Sequence, residues 1–330
     1  RGLGDVYKRQ PFSLEAQFFV DARGRSAPGD RQARMRGPET VSLLQAWQGE
    51  ACDASSTAVS FRQGWAWMAR FADGSRYTQL TLAAEGIPPK AQLPGFYFPL
   101  LQGIEQTAPY CQDATPTGDI VARSSTAILQ CDPIGERSMR IGDAALAVDP
   151  LSGNGIFQSL STGLIAPRVI NTILKQPQDA ELSRQFYRER VNHAFMRFAR
   201  MGRDFYQQET RWVDHPFWQQ RQSWPDQLPM HEPVRPEQLQ VERRPVVAGE
   251  LISEREVVVT PDQPLGIWHL MDIELAPLVN AWQAQCAQGQ QPDTGEETAR
   301  FVVEFLQKQK PGHTQQQLQA VTAWVAHHLQ

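Results

Sequence analysis

The stretch Ile141–Leu160, "IGDAALAVDPLSGNGIFQSL", decides how the chain is read. It passes from apolar residues into Gly142-Asp143, crosses a turn marked by Pro150, Gly153 and Gly155, and re-enters a helical pattern. A carboxylate at a strand end reaches over the sheet edge into the crevice where ligands of open α/β sheets bind. Ionised Asp143 accepts hydrogen bonds only, which suits the hydroxyl donors of a sugar or ribityl chain. Glycines let the main chain turn tightly and bring bare N–H groups up to a ligand. A helix beginning near Asn154 or Gly155 adds partial positive charge there and favours a ligand carrying negative charge. An ordinary capped strand-turn-helix has the same pattern, so spacing alone leaves both readings open.

Working outward, "RSMRIGDAA" reads as a buried strand ending at Gly142-Asp143. The helical pattern "GIFQSLSTGLIAPRVINTILK" contains Pro167, which is expected to kink or split it. A long helix is expected over Asp179–Gln208, with Tyr187, Val191, Ala194, Phe198, Met201 and Phe205 as a core-facing seam. Its arginines, among them Arg184, Arg188, Arg197 and Arg203, interleave with Glu181, Glu189 and Asp204, either as an ion-paired face or as a dock for an acidic protein. Upstream, "FSLEAQFFVDARGR" reads as a strand closing at Asp21 and turning at Gly24. The runs "AVSFRQGWAWMARF" and "GSRYTQLTLA", joined at Asp73-Gly74, form an antiparallel hairpin, and "DIVARSSTAILQC" is a strand entering a turn at Asp132-Pro133. Trp212–Pro245 is an irregular wrapping segment, rich in Pro, Trp and Gln. Beyond it, strands near "EREVVVT" and "LGIWHL" and helices at about Asp272–Ala287, Thr294–Lys308 and Thr314–Leu329 make a small module.

A chain of 330 residues is long enough for about two domains. Hydrophobic residues at 41%, charged residues at 21% and a net charge of -4 describe an ordinary globular protein and imply no nucleic-acid partner. Cys52, Cys111, Cys131 and Cys286 lie far apart without metal-ligand spacing, as free thiols in a reducing compartment do, and no metal is assigned. Nothing approaches the roughly 18 apolar residues of a membrane span and no signal peptide is evident, so no membrane partner and a cytoplasmic location are expected. The opening "RGLGDVYKRQ" has neither periodicity nor an initiator Met. Residues 1–10 are therefore set aside as a non-native leader, and the native protein is expected to begin upstream.

The pattern Gly142-Asp143, Pro150, Gly153, Gly155 resembles the second FAD motif of flavoprotein monooxygenases of the para-hydroxybenzoate hydroxylase type. The segment "GWAWMARFADGSRYTQLTL" resembles the tryptophan-halogenase-like branch of that superfamily, and "DARGR" resembles its strand end near the FAD adenylate region. With "GPETVSLLQAWQG" and "FARMGRDFYQQE" included, most of residues 11–275 is similar to the maturation flavoproteins that accompany tryptophylquinone-dependent amine and amino-acid oxidases. The family's GxGxxG βαβ unit and the halogenase catalytic lysine have no counterpart in the sequence, which is taken as N-terminally truncated.

The resemblance implies an α/β fold with α+β elements. Its parts are a partial FAD-binding Rossmann-like domain and an antiparallel substrate-domain sheet within residues 11–245, and a small α+β module at 246–330. It implies FAD contacts at Asp21, Gly24, Gly142, Asp143, Pro150, Gly153, Asn154, Gly155 and Ile156, with Arg25 beside them. The implied activity is FAD-dependent hydroxylation of a tryptophan in a partner polypeptide, a tryptophylquinone enzyme precursor, during quinone-cofactor maturation. Electrons would come from NAD(P)H or externally reduced flavin, with O2 as co-substrate. Trp65 and Trp67, alternate residues on one strand, either wall the substrate space or serve sheet packing. Two alternatives stand beside this function: a flavin-dependent halogenase or small-molecule aromatic hydroxylase, and a non-catalytic maturation or binding partner. No individual catalytic residue is assigned.

Overall fold

A computed structural model describes residues 15–28, 34–290, 292, 294–309 and 312–329, so the expected leader at 1–10 lies outside the described residues. In chain order, strands β1 (Phe19–Asp21) and β2 (Arg34–Arg36) precede β3 (Thr40–Gly49), β4 (Ser55–Phe61), β5 (Gly64–Arg70) and β6 (Ser75–Ala83). Helices α1 (Leu93–Gln102) and α2 (Ala108–Cys111) lead to β7 (Ala114–Ser124), β8 (Ile128–Gln130), β9 (Ser138–Arg140) and β10 (Leu146–Ala147). Helices α3 (Gly155–Lys175), α4 (Ala180–Gln207) and α5 (Pro216–Ser223) follow. The last part holds β11 (Gln240–Ala248), β12 (Leu251–Val259), β13 (His269–Leu270), β14 (Ile273–Glu274), α6 (Leu275–Ala287), α7 (Gly295–Gln309) and α8 (Gln315–His328).

Alternation of apolar and polar residues builds an antiparallel sheet in the order β4-β5-β6-β3-β7. The β5–β6 hairpin turns at Asp73-Gly74 as expected, with the Ser75 amide donating to the Asp73 carboxylate at 2.9 Å. The run "AVSFRQGWAWMARF" is not one strand but two, β4 and β5, folded back just before Gly64. A Cβ at Gly64 would stand 2.0 Å from the Thr81 carbonyl oxygen, so only glycine admits β6 this close. Leu43, Ala66, Met68, Leu80 and Leu82 pack one face of the sheet against Leu93, Tyr97 and Leu101 of α1.

A second core lies between the long helices and the short strands, where Met139, Leu146, Val169, Tyr187, Val191 and Phe195 meet. There β1 pairs in parallel with β9, Phe19 opposite Ser138 and Asp21 opposite Arg140, and the Ile141 amide donates to the Asp21 carbonyl at 3.1 Å. The ends of these two strands therefore arrive side by side.

Two expectations about the helices are corrected. Pro167 does not split α3, because it sits on the exposed face, where a carbonyl deprived of its donor is left to water, while Thr162, Ala166 and Val169 stay buried opposite. The seam of α4 begins at Tyr187 and Val191 as expected but continues through Phe195, Ala199, Gly202 and Tyr206, leaving Phe205 42% exposed. At about 100° per residue Phe205 falls on the azimuth of Tyr187, while Val191, Phe195, Ala199, Gly202 and Tyr206 centre about 80° further round, so the stripe through Ala194, Phe198, Met201 and Phe205 runs along the edge of the buried face.

A third core joins Val258, Leu275, Val279, Trp282, Val302, Leu306, Val321 and Val325 within the C-terminal part. Strand β11 spans the position of the expected 245/246 boundary. Among the described residues, no helix is long and apolar enough to cross a membrane.

Candidate functional site

Gly142 occupies the left-handed region at φ +58°, and a Cβ there would lie 3.3 Å from Ser159 Oγ. Its amide donates to Thr162 Oγ1 at 2.8 Å, which fastens the strand-end turn to α3. Asp143 follows immediately, its side chain one-third exposed. Arg25 Nε donates to Asp143 Oδ2 at 3.2 Å, and the rest of that guanidinium reaches the carbonyls of Thr126 and of Val148, the latter at 3.0 Å. The other carboxylate oxygen, Oδ1, has no donor among the described residues.

The strand end at Asp21 is thus brought to Asp143 through Arg25. The Asp21 carboxylate itself is engaged by Arg23 at 2.8 Å, and that hydrogen bond holds its pKa down at about 2. Gly24, at φ +68°, makes the turn between them.

Past β10, Asp149 caps a short 3-10 turn, Pro150–Ser152, by accepting the Leu151 amide at 2.9 Å. Gly153 adopts φ +68°, and a Cβ added at Gly153 or Gly155 would meet nothing within 4 Å, so bare backbone faces open space. Asn154 stands at the N-cap position of α3, but its side chain donates back to the Ser152 carbonyl and makes no capping bond to the helix. The first bond of α3 runs from the Gln158 amide to the Asn154 carbonyl, so the amides of Gly155, Ile156 and Phe157 point out of the helix N-terminus.

These groups fit one end of an FAD. The carboxylate oxygen left over on Asp143 suits a ribityl hydroxyl, and the glycine edge with the helix amides suits the electron-rich rim of the isoalloxazine.

Beside this loop lies a groove of about 470 Å³ lined by Ser60, Trp65, Leu151, Phe205, Glu209 and Trp218, together with Ala58, Val59 and Gln208. Leu151 belongs to the turn just described, so the groove and the glycine edge share a wall. Trp65 is in that wall, with its Nε1 donating to Tyr206 Oη at 3.2 Å. Trp67 stands one step along β5, where its Nε1 donates to Ser56 Oγ at 3.1 Å, and it does not line the groove.

At the rim, Glu209 accepts from the Arg211 amide and from Arg211 Nη2, both at 2.7 Å, and from Ser60 Oγ. The Arg211 hydrogen bonds hold its pKa down at about 2. The Arg211 guanidinium lies 4.3 Å from the Trp212 ring centre, and Trp212 stacks on Trp218.

Asp149, Leu151, Tyr206, Glu209 and Trp218 escape a reading of motifs alone. An Asp-Pro pair signals only a turn, and Tyr206 lies about 100° round α4 from Tyr187, outside the stripe that the apolar spacing picks out. The arginines of α4 are largely spoken for by internal pairs: Arg184 and Arg188 with Glu181, Arg197 with Asp262, Arg200 with Asp226 and Arg203 with Asp204. The ion-paired face is the reading that holds.

The solved structure of QhpG, a peptidyl tryptophan dihydroxylase essential for tryptophylquinone cofactor biogenesis, matches with a TM-score of 0.74 at 45% identity, over 96% of this chain and 69% of that one. The chain belongs to the tryptophan-halogenase-like family of FAD monooxygenases. CmlS, a flavin-dependent halogenase, shares the fold at TM-score 0.63 and 14% identity, over 87% of this chain and 67% of that one. A tryptophan 2-halogenase from Chondromyces crocatus is 22% identical over 225 residues, 64% of this chain. The chain spans 43% of the length of that curated relative. No protein-family model matches.

Proposed function

We propose that the chain serves in the FAD-dependent hydroxylation of a tryptophan side chain of a partner polypeptide, a step toward a tryptophylquinone cofactor. The observation that carries it is the shared wall. Leu151 of the glycine-bearing turn and Trp65 of the antiparallel sheet line one aromatic groove. QhpG acts on a peptidyl tryptophan, and its 45% identity favours hydroxylation over the halogenation of the more distant relatives. NAD(P)H or externally reduced flavin would supply electrons, with O2 as the oxygen source.

Bound FAD would supply reduction of O2 and delivery of an oxygen atom to an electron-rich ring. The protein's share is binding, orientation and exclusion of water. Asp143, held by Arg25, accepts from the polyol chain, and the α3 amides favour negative charge on the isoalloxazine rim. Trp65 and Trp218, with Phe205 at the edge, present flat apolar surfaces that align an indole and displace water from it. Glu209 is ionised at neutral pH, and with both oxygens taken up by Arg211 and Ser60 it fixes the rim of the groove between α4 and β4.

The test mixes the purified full-length protein with FAD, a reductant, O2 and a tryptophan-containing precursor polypeptide. Mass spectrometry should find one or two added oxygen atoms on a tryptophan. Chloride-dependent addition of chlorine would instead assign a halogenase. A flavin-loaded protein that consumes reductant but leaves every partner unmodified would sink the hydroxylase, and failure to bind FAD at all would sink the oxidative function and favour a non-catalytic maturation partner.

A further inference from the structure

Three elements that approach from different parts of the chain meet at one buried hydroxyl. Tyr206 Oη, on α4, receives the Trp65 indole N–H at 3.2 Å and donates to the Asp149 carboxyl, 3.2 Å from Oδ1 and 3.3 Å from Oδ2. Asp149 Oδ1 also accepts the Leu151 amide at 2.9 Å, and the Asp149 carbonyl accepts from Ser152 Oγ at 2.7 Å. Tyr206 is 2% exposed and is walled by Phe217 and Trp218, so nothing in solvent replaces a lost partner.

Helix α4 is shaped for this contact. Gly202, one turn before Tyr206, lies against the Asp149 side chain, and a Cβ added there would be 3.7 Å from Asp149 Cβ. One residue earlier, Met201 Sδ stands 3.7 Å from Asn154 Nδ2, at the far end of the same loop.

We propose that Asp149 and Tyr206 are positioning residues that lock the cofactor loop, residues 150–155, onto the groove wall at Trp65. The assignment rests on the oxidative function above, since the loop is a cofactor loop only if FAD binds there. Neither side chain needs to touch the reacting atoms. Their action is to fix how far the isoalloxazine edge stands from an indole in the groove, a distance on which oxygen transfer depends steeply. Burial raises the Asp149 pKa, opposed by the Leu151 amide hydrogen bond and by the nearby Arg221. One oxygen, Oδ1, already accepts from both the Leu151 amide and Tyr206 Oη, so the single carbonyl oxygen of an asparagine can take over both bonds.

The test compares Asp149→Ala, Asp149→Asn and Tyr206→Phe in the full chain, first by hydrogen exchange without flavin and then by FAD titration. In Tyr206→Phe the ring packing survives and only the hydroxyl is lost. Exchange in residues 150–155 should accelerate roughly tenfold, the factor that loss of one buried hydrogen bond supplies, with the β11–β12 hairpin unchanged. Asp149→Ala should show the same or more, and Asp149→Asn should return to the parent. FAD affinity should weaken and recover in parallel. Unchanged loop exchange in Tyr206→Phe, acceleration spread evenly over the chain, or an Asp149→Asn variant no better than Asp149→Ala would overturn the proposal. The exchange readout needs no flavin, so failure of the lock is told apart from failure of the oxidative function.

Discussion

Arg25 and Asp143, 118 residues apart in the chain, meet with Nε 3.2 Å from Oδ2 at the ends of two parallel strands. The contact leaves one carboxylate oxygen for a ligand while orienting the other. Asp143→Asn keeps the shape but removes the charge, and Asp143→Ala removes both acceptors. Flavin dissociation constants, read by fluorescence quenching in the full-length protein, should rise about tenfold to a hundredfold for Asp143→Ala, as expected for one hydrogen bond to a charged group. Asp143→Asn should fall between. Equal affinity in all three proteins would remove Asp143 from the cofactor site.

Gly142→Ala places a methyl group at φ +58° and within 3.3 Å of Ser159 Oγ. The left-handed backbone alone costs an L-residue about 1–2 kcal/mol. Thermal melts should show Tm lowered by several degrees. No change would mean that the turn relaxes away from φ > 0 without penalty.

Glu209 makes acid stability testable. Its pKa is lowered from 4.5 to about 2, chiefly by Arg211, so folding binds fewer protons than unfolding in that window. Stability from this carboxylate is therefore complete above pH 4.5 and is lost as pH falls toward 2. Urea titrations should show Glu209→Gln less stable than the parent at neutral pH, with the gap closing on acidification through that range. A gap independent of pH would assign the effect to packing instead.

Helix α3 carries Leu160 and Leu164, 61% and 67% exposed, one turn apart on the same face. Leu160→Glu with Leu164→Glu should reduce binding of an apolar dye such as ANS, while Tm moves by no more than about 2 °C, as for exposed positions generally. A large loss of stability would show that this face is covered in solution.

Much of the site was legible because backbone chemistry speaks locally. Gly142 needs its positive φ, Asp149-Pro150 announces a turn, and Gly155 opens a helix, all within twenty residues of sequence. The hairpin at Asp73-Gly74 and the three C-terminal helices were readable for the same reason. What escaped depends on distance or on which side of a helix its partners cover. Nothing near Arg25 points to Asp143. The partnership of Trp65 with Tyr206 crosses 141 residues, and the buried face of α4 is centred about 80° round from the stripe shared by Tyr187 and Phe205, a choice made by the elements packed on the helix. Strands β4 and β5 read as one run because the turn residues between them, Arg62 and Gln63, are not the Asn, Asp or Gly that mark a two-residue hairpin.

Helix α3 is tied down twice through threonine hydroxyls, Thr162 Oγ1 taking the Gly142 amide and Thr172 Oγ1 taking the Ile252 amide, each at 2.8 Å. Ten residues separate the two ties, about 15 Å of helical rise. The helix thereby works as a gauge between the strand-end turn at Gly142 and the C-terminal hairpin. Adding or deleting a single residue between the ties would swing one threonine by about 100° around the axis and strand a buried amide. Length in this segment should be held far more tightly than side-chain identity on its outer face.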